Sequence, residues 1–225
     1  MKYSELRPEE SGRIVIFGGT MAEKDAFEDA FLINNPSFAT EILPELANYK
    51  KPKLGRYKTV CDVLVKGLKK SLRKTVLNEL IRESKGVNVD GIIYRAPYAM
   101  SGGQKLRWSI LYNAIMGKKE FLLRDDEVLM DPETAATVES WLMRYTHNSA
   151  IIVRITEATG DALGTMLAGG DKGLELVNGD LVTYVKPAPK VTEVPKAEDT
   201  KSEEQTKIAK ILQMKDKYNG LFSKK

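Results

Sequence analysis

Apolar and polar positions along the chain change period several times, and each change marks an element. Gly12 to Phe17 is a compact apolar run ending in Gly18-Gly19, which reads as a buried strand entering a glycine loop. Glu23 to Leu32 switches to helical spacing, with Phe27, Ala30 and Phe31 on one side. Asn34 to Arg56 carries Pro36, Pro44 and Pro52 and reads as turns. Thr59 to Glu83 is helical, with Lys66, Lys69, Lys70, Arg73 and Lys74 on its outer face. Val87 to Pro97 is a connector. Leu106, Ile110, Leu111, Ala114 and Ile115 then set the buried face of another helix. Phe121 to Leu123 is a strand, Pro132 to Tyr145 a helix, and Ala150 to Ile155 a second strand. Asp161 to Leu167 is a short helix. Leu174 to Val182 reads as two strands around an Asn178-Gly179-Asp180 turn. Strands alternating with helices predict an α/β fold with a mostly parallel sheet.

The pattern stops near residue 185. Lys186 to Glu204 is Pro-, Lys-, Glu- and Thr-rich and reads as a flexible linker. Residues 205–225 regain a short amphipathic period through Ile208, Ile211, Leu212 and Met214. The expected organisation is a body over 1–185, with a helical subdomain over about 57–118, followed by that tether. From Lys186 onward there are ten Lys and six acidic residues, whereas 1–185 holds 25 basic and 25 acidic side chains. The excess charge therefore sits in the tail, where it gives a modest, salt-sensitive attraction to anions. No run of 18 apolar residues exists, so no membrane span is predicted. Met1 to Arg13 lacks the apolar stretch of a signal peptide. The single Cys61 excludes an internal disulfide, and with the single His147 it leaves little for a metal site. These features predict a cytoplasmic location.

One stretch carries candidate chemistry: Met100-Ser101-Gly102-Gly103-Gln104, opening the helix of Leu106. Ser101 can cap the first turn, and an exposed Gly-Gly pair lets an anion approach the positive end of a helix.

The order of parts from Gly12 to Val182 resembles the nucleotide-binding domain of ATP-binding-cassette (ABC) ATPases. The resemblance rests on a strand into a phosphate loop, a helical region, Ser101 to Gln104 as the signature, and Leu129 to Glu133 as the D-loop with Asp131. Ile151 to Glu157 then stands where the family's histidine-bearing strand lies, and Leu174 to Val182 resembles the closing strands. It implies a P-loop-type three-layer fold, with most of the N-terminal antiparallel subdomain missing. It also implies ATP with Mg²⁺ as cofactor, and a homo- or hetero-oligomeric partner whose phosphate site this signature would complete.

Several positions depart from that pattern. The loop Gly18 to Asp25 keeps Gly18 and Lys24 as nucleotide-binding candidates. Glu23 replaces the second glycine, and Asp25 replaces the hydroxyl that binds Mg²⁺. Counted without gaps, Arg124 falls on the Mg²⁺-associated aspartate and Asp125 on the catalytic glutamate. Shifting the alignment offers Asp125-Asp126 or Asp126-Glu127 instead, so Asp125, Asp126 and Glu127 are all catalytic candidates. No Gln precedes Gln104, and Thr156-Glu157 replaces Thr-His. Tyr3 is a poor stacking aromatic for adenine.

The reading that follows is an ABC-like subunit with an intact signature and impaired catalysis, serving a structural or regulatory role beside a competent ATPase. A weak ATPase is the first alternative. A nucleic-acid-associated protein, using Lys66 to Lys74 and the tail, is the second; no aromatics interleave with those lysines in the sequence.

Overall fold

The computed structural model describes residues 1–8, 12–39, 42–53, 58–125, 130–167 and 172–184. Asp126, Glu127, the linker 186–204 and the segment 205–225 lie outside the described residues.

Five strands form one sheet in the order β2-β3-β1-β4-β5. They are β1 (Gly12–Gly18), β2 (Glu120–Arg124), β3 (Ile151–Ile155), β4 (Lys172–Val177) and β5 (Asp180–Thr183). The first four in spatial order run parallel, with Ile16 beside both Ile155 and Leu174. β5 returns antiparallel through Asn178 and Gly179, both at positive φ, as a tight two-residue hairpin requires. Of the antiparallel subdomain that the resemblance implies, the described residues hold this hairpin and a bridge from Lys2 to Asp180.

Alternation along the strands sends side chains to two buried faces. Ile16, Leu122, Val153 and Ile155 pack under helix α1 (Met21–Asn34), against Phe27 and Phe31, both fully buried. Each such phenyl ring contributes about 1.5–3 kcal/mol of hydrophobic stabilisation. Phe121, Leu123 and Ile152 face the other way, into the larger core built by α5 (Gly102–Ile115) and α6 (Pro132–Tyr145). Val15 and Phe17 meet Leu163 of α7 (Gly160–Met166). Helices therefore cover both faces of a mostly parallel sheet, in agreement with the predicted α/β class.

Between β1 and β2 lie α2 (Pro44–Ala47), α3 (Val60–Val65) and α4 (Lys70–Glu83). The single helix expected over Thr59 to Glu83 is two. Its break at Lys66–Lys69 contains Gly67, and Arg73 donates to the carbonyls of Lys66 and Leu68 there, satisfying the end of α3. Tyr3 turns inward and meets Phe27 edge-on, 5.7 Å between ring centroids.

Candidate functional site

In an open parallel sheet the carboxyl ends of the strands share one edge, where ligands bind. Here that edge gathers Gly18 and Gly19 after β1, Arg124 and Asp125 at the end of β2, and Thr156 and Glu157 after β3. Of the sequence candidates, Gly18 and Asp125 are thus brought to one edge, whereas Ser101 to Gln104 and Asp131 stand at the starts of α5 and α6.

The loop after β1 is short. Gly18 and Gly19 both take positive φ, and Thr20 already caps α1. A Cβ on Gly19 would stand 2.9 Å from that of Leu176, so the loop lies directly on β4. Thr20 and Glu23 form a reciprocal capping box. The Glu23 carboxylate accepts from the Thr20 N–H at 2.7 Å and its hydroxyl at 3.0 Å, and the Glu23 N–H donates back at 3.2 Å. The Thr20 donors, then the N–H groups of Gly179 and Asn178, hold the Glu23 pKa below its ordinary value. The positive end of α1 therefore carries an anion supplied by the chain itself.

The neighbouring charges pair with one another. Lys24 is buried, and its ammonium lies 3.6 Å from Glu157, the residue that the resemblance sets where a histidine is expected. Arg124 reaches Asp25 at 2.7 Å and Glu28 at 2.8 Å. Burial opposes its charge, but these two carboxylates outweigh burial and raise its pKa.

Asp125 is buried deeper. Its carboxylate receives a two-pronged contact from Arg154, at 2.8 and 2.9 Å, and the Thr156 hydroxyl at 2.6 Å. Arg154 also donates to Glu139 on α6 at 3.0 Å and to the carbonyl of Pro132. Burial disfavours this guanidinium too, yet Asp125 and Glu139 keep its pKa raised. Arg154 and Glu139 were passed over in the sequence. The signal was there in Arg154: a lone arginine inside an apolar strand needs a buried acid.

The candidate signature, Ser101 to Gln104, sits at the start of α5. Ser101 caps the helix by accepting from the Gln104 N–H at 3.2 Å, and Gln104 closes the box by accepting from the Ser101 N–H at 3.1 Å. The Gly-Gly pair is less open than expected. Gly102 is half-buried and Gly103 is buried, because the first turn is already set against the core. Ser101 is the exposed residue of the motif. Asp131 caps α6, accepting from the Thr134 N–H and hydroxyl at 2.9 and 2.7 Å, and these bonds lower its pKa. Arg107, one turn into α5, is half-buried; burial lowers its pKa and the field of Asp131 works against that.

Among the described residues no cluster of three or more His, Cys, Asp or Glu could hold a metal ion. No helix there is long and apolar enough to cross a membrane. Cys61 is buried, which pushes its thiol up to about 12.

No family model matches the sequence, and no curated protein matches it either. The fold does match solved structures. One is the ATP-binding cassette MJ0796, in a dimeric post-hydrolysis state bound to ADP and Pi. That chain is 12% identical, with a TM-score of 0.51, over 81% of this chain and 89% of the other. The chain has an ABC-type α/β fold.

Proposed function

We propose that this protein is an ABC-ATPase-like subunit that does not hydrolyse ATP and presents its signature helix to a partner. The observation that carries the reading is the pairing of charges at the phosphate and metal positions. Glu23 occupies the α1 N-terminus, Glu157 engages Lys24, and Arg124 engages Asp25 and Glu28. In the resemblance, a hydroxyl and an aspartate meet through Mg²⁺ at the last of these places. Here an acid and a guanidinium meet directly, and a cation brought between them would face Arg124. Asp125 is equally committed to Arg154 and Thr156, which hold its charge in a buried network rather than offer it to a water.

The Ser101 helix start is different in kind. Its capping box is neutral, so its positive end is available to an anion or a partner surface. A dimeric neighbour of the same fold is in keeping with association through such a surface. Loss of an electrostatic catalytic group alone costs about 10²–10³ in rate, so combined replacement at Glu23, Asp25, Arg124 and Glu157 leaves no useful turnover. The test is a phosphate-release assay on the full chain. The expected outcome is no Mg²⁺-dependent turnover above the protein-free rate. Steady turnover abolished by Lys24→Ala would favour the weak-ATPase alternative.

A further inference from the structure

The sequence places lysines around the α3–α4 corner without aromatics between them, but the fold supplies the aromatics. Tyr49, from the segment after α2, and Tyr112, from α5, converge on a cavity of about 760 Å³ bounded also by Val63 and Leu64 of α3. Tyr49 is positioned twice over. Its ring stacks on Tyr98, 6.4 Å between centroids and 9° between planes, and its hydroxyl accepts from the Lys58 N–H at 3.1 Å. Burial, then Glu45, raises the Tyr112 pKa, keeping that hydroxyl neutral. Lys50, Lys58 and Lys66 stand exposed on the cavity rim. No carboxylate pairs with any of the three among the described residues.

The segment that supplies most of the cavity lining is strongly basic. Residues 45–75 hold eight Lys and two Arg against Glu45 and Asp62, a net +8. The rest of the body up to residue 185 holds 15 basic and 23 acidic side chains. A neutral body thus concentrates its positive charge in one segment of the chain, and described residues of that segment line an aromatic cavity in the size range of ligand sites.

We propose that this site binds single-stranded nucleic acid, with an unpaired base in the Tyr49–Tyr112 cavity and the flanking phosphates on Lys50, Lys58 and Lys66. Aromatic stacking inside a basic groove is how sequence-tolerant single-strand binding works, and every base offers a ring face to it. A duplex keeps its bases stacked and cannot fill a concave aromatic cavity. The chain's own tail is a poor occupant, because its ten Lys against six acids repel the rim. The site is separate from the strand-end charges and stands whether or not those bind nucleotide.

The test is fluorescence anisotropy with the full chain and a labelled oligo-dT of about 15 nucleotides. Long-chain polyphosphate serves as the baseless polyanion, and phosphatidylserine vesicles as the anionic surface. The wild type binds oligo-dT, with log K falling against log salt by about 0.7 per phosphate contacted. Lys50→Glu with Lys66→Glu, both exposed and fold-neutral, weakens binding by about tenfold or more and flattens that slope. Tyr112→Leu, or Tyr49→Leu should the first fail to fold, lowers oligo-dT affinity about tenfold and leaves polyphosphate affinity unchanged. Wild-type affinity in the double charge reversal overturns the proposal. So does equal response of both probes to the tyrosine variants, preference for vesicles over oligo-dT, or no binding by the wild type.

Discussion

The helix starts of α1 and α5 are built to one plan with one difference. Each has a hydroxyl N-cap and a residue three positions on that bonds back, Thr20 with Glu23 and Ser101 with Gln104. At α1 the returning group is a carboxylate; at α5 it is an amide. A carboxylate neutralises the helix end and an amide does not. The surroundings follow suit. Around α1 lie Lys24–Glu157 and Arg124–Asp25–Glu28, all internally matched. One helix start carries a charge supplied by the chain and the other does not, and the proposed docking surface is the second.

The largest expected effect comes from breaking the paired charges at the strand ends. Arg154→Met leaves Asp125 buried without its cation and takes from Glu139 the closer of two, Arg13 standing at 3.8 Å, and should cost about 3–5 kcal/mol in urea unfolding. A negligible cost would mean that Asp125 is not held by this network, and would return it to the catalytic candidates. Next, exchanging the capping residues should exchange the behaviour of the two helix starts. Gln104→Glu makes α5 resemble α1. It should leave the melting temperature almost unchanged, the effect on stability being within about 1 kcal/mol, while weakening self-association or capture of a competent ABC ATPase by tenfold or more. Normal assembly of this variant would show that the α5 start is not the working surface. Ser101→Asp, which keeps a good N-cap, should act in the same direction.

A smaller effect concerns pH. Folding depresses the pKa of Glu23, from hydrogen bonds by Thr20, and of Asp131, from those by Thr134. A depressed carboxylate stabilises the fold above its unfolded value and loses that contribution as pH falls through the folded value. The melting temperature should thus decline below the ordinary values of 4.5 and 3.8. Glu23→Gln should shrink the upper part of that decline, and an unchanged profile in this variant would count against the capping role of the carboxylate.

Much of the body was legible because its signals are local. The apolar runs of β1 and β3, the Asn178-Gly179 turn and the Ser101 cap specify themselves within a few residues. The break at Gly67 was missed because the surrounding positions keep helical spacing, whereas the turn is held by local backbone bonds and by the Arg73 side chain bonding to the end of α3. Burial of Gly103 was missed because a glycine carries no hydrophobic mark of its own. The site was legible as a set of departures, but not as a set of pairs. That Glu157 meets Lys24, and Arg124 meets Asp25, depends on strand order, since β3 lies between β2 and β1. The tyrosine cavity is hidden for the same reason, its two rings standing 63 positions apart in the chain.

The central claim is that this chain's phosphate site is occupied by its own charges. Its most direct measurement is a calorimetric titration of ATP into the full chain, with Mg²⁺ and with EDTA. The account predicts no saturable heat up to about millimolar nucleotide in either condition. Micromolar affinity that depends on Mg²⁺ would contradict it.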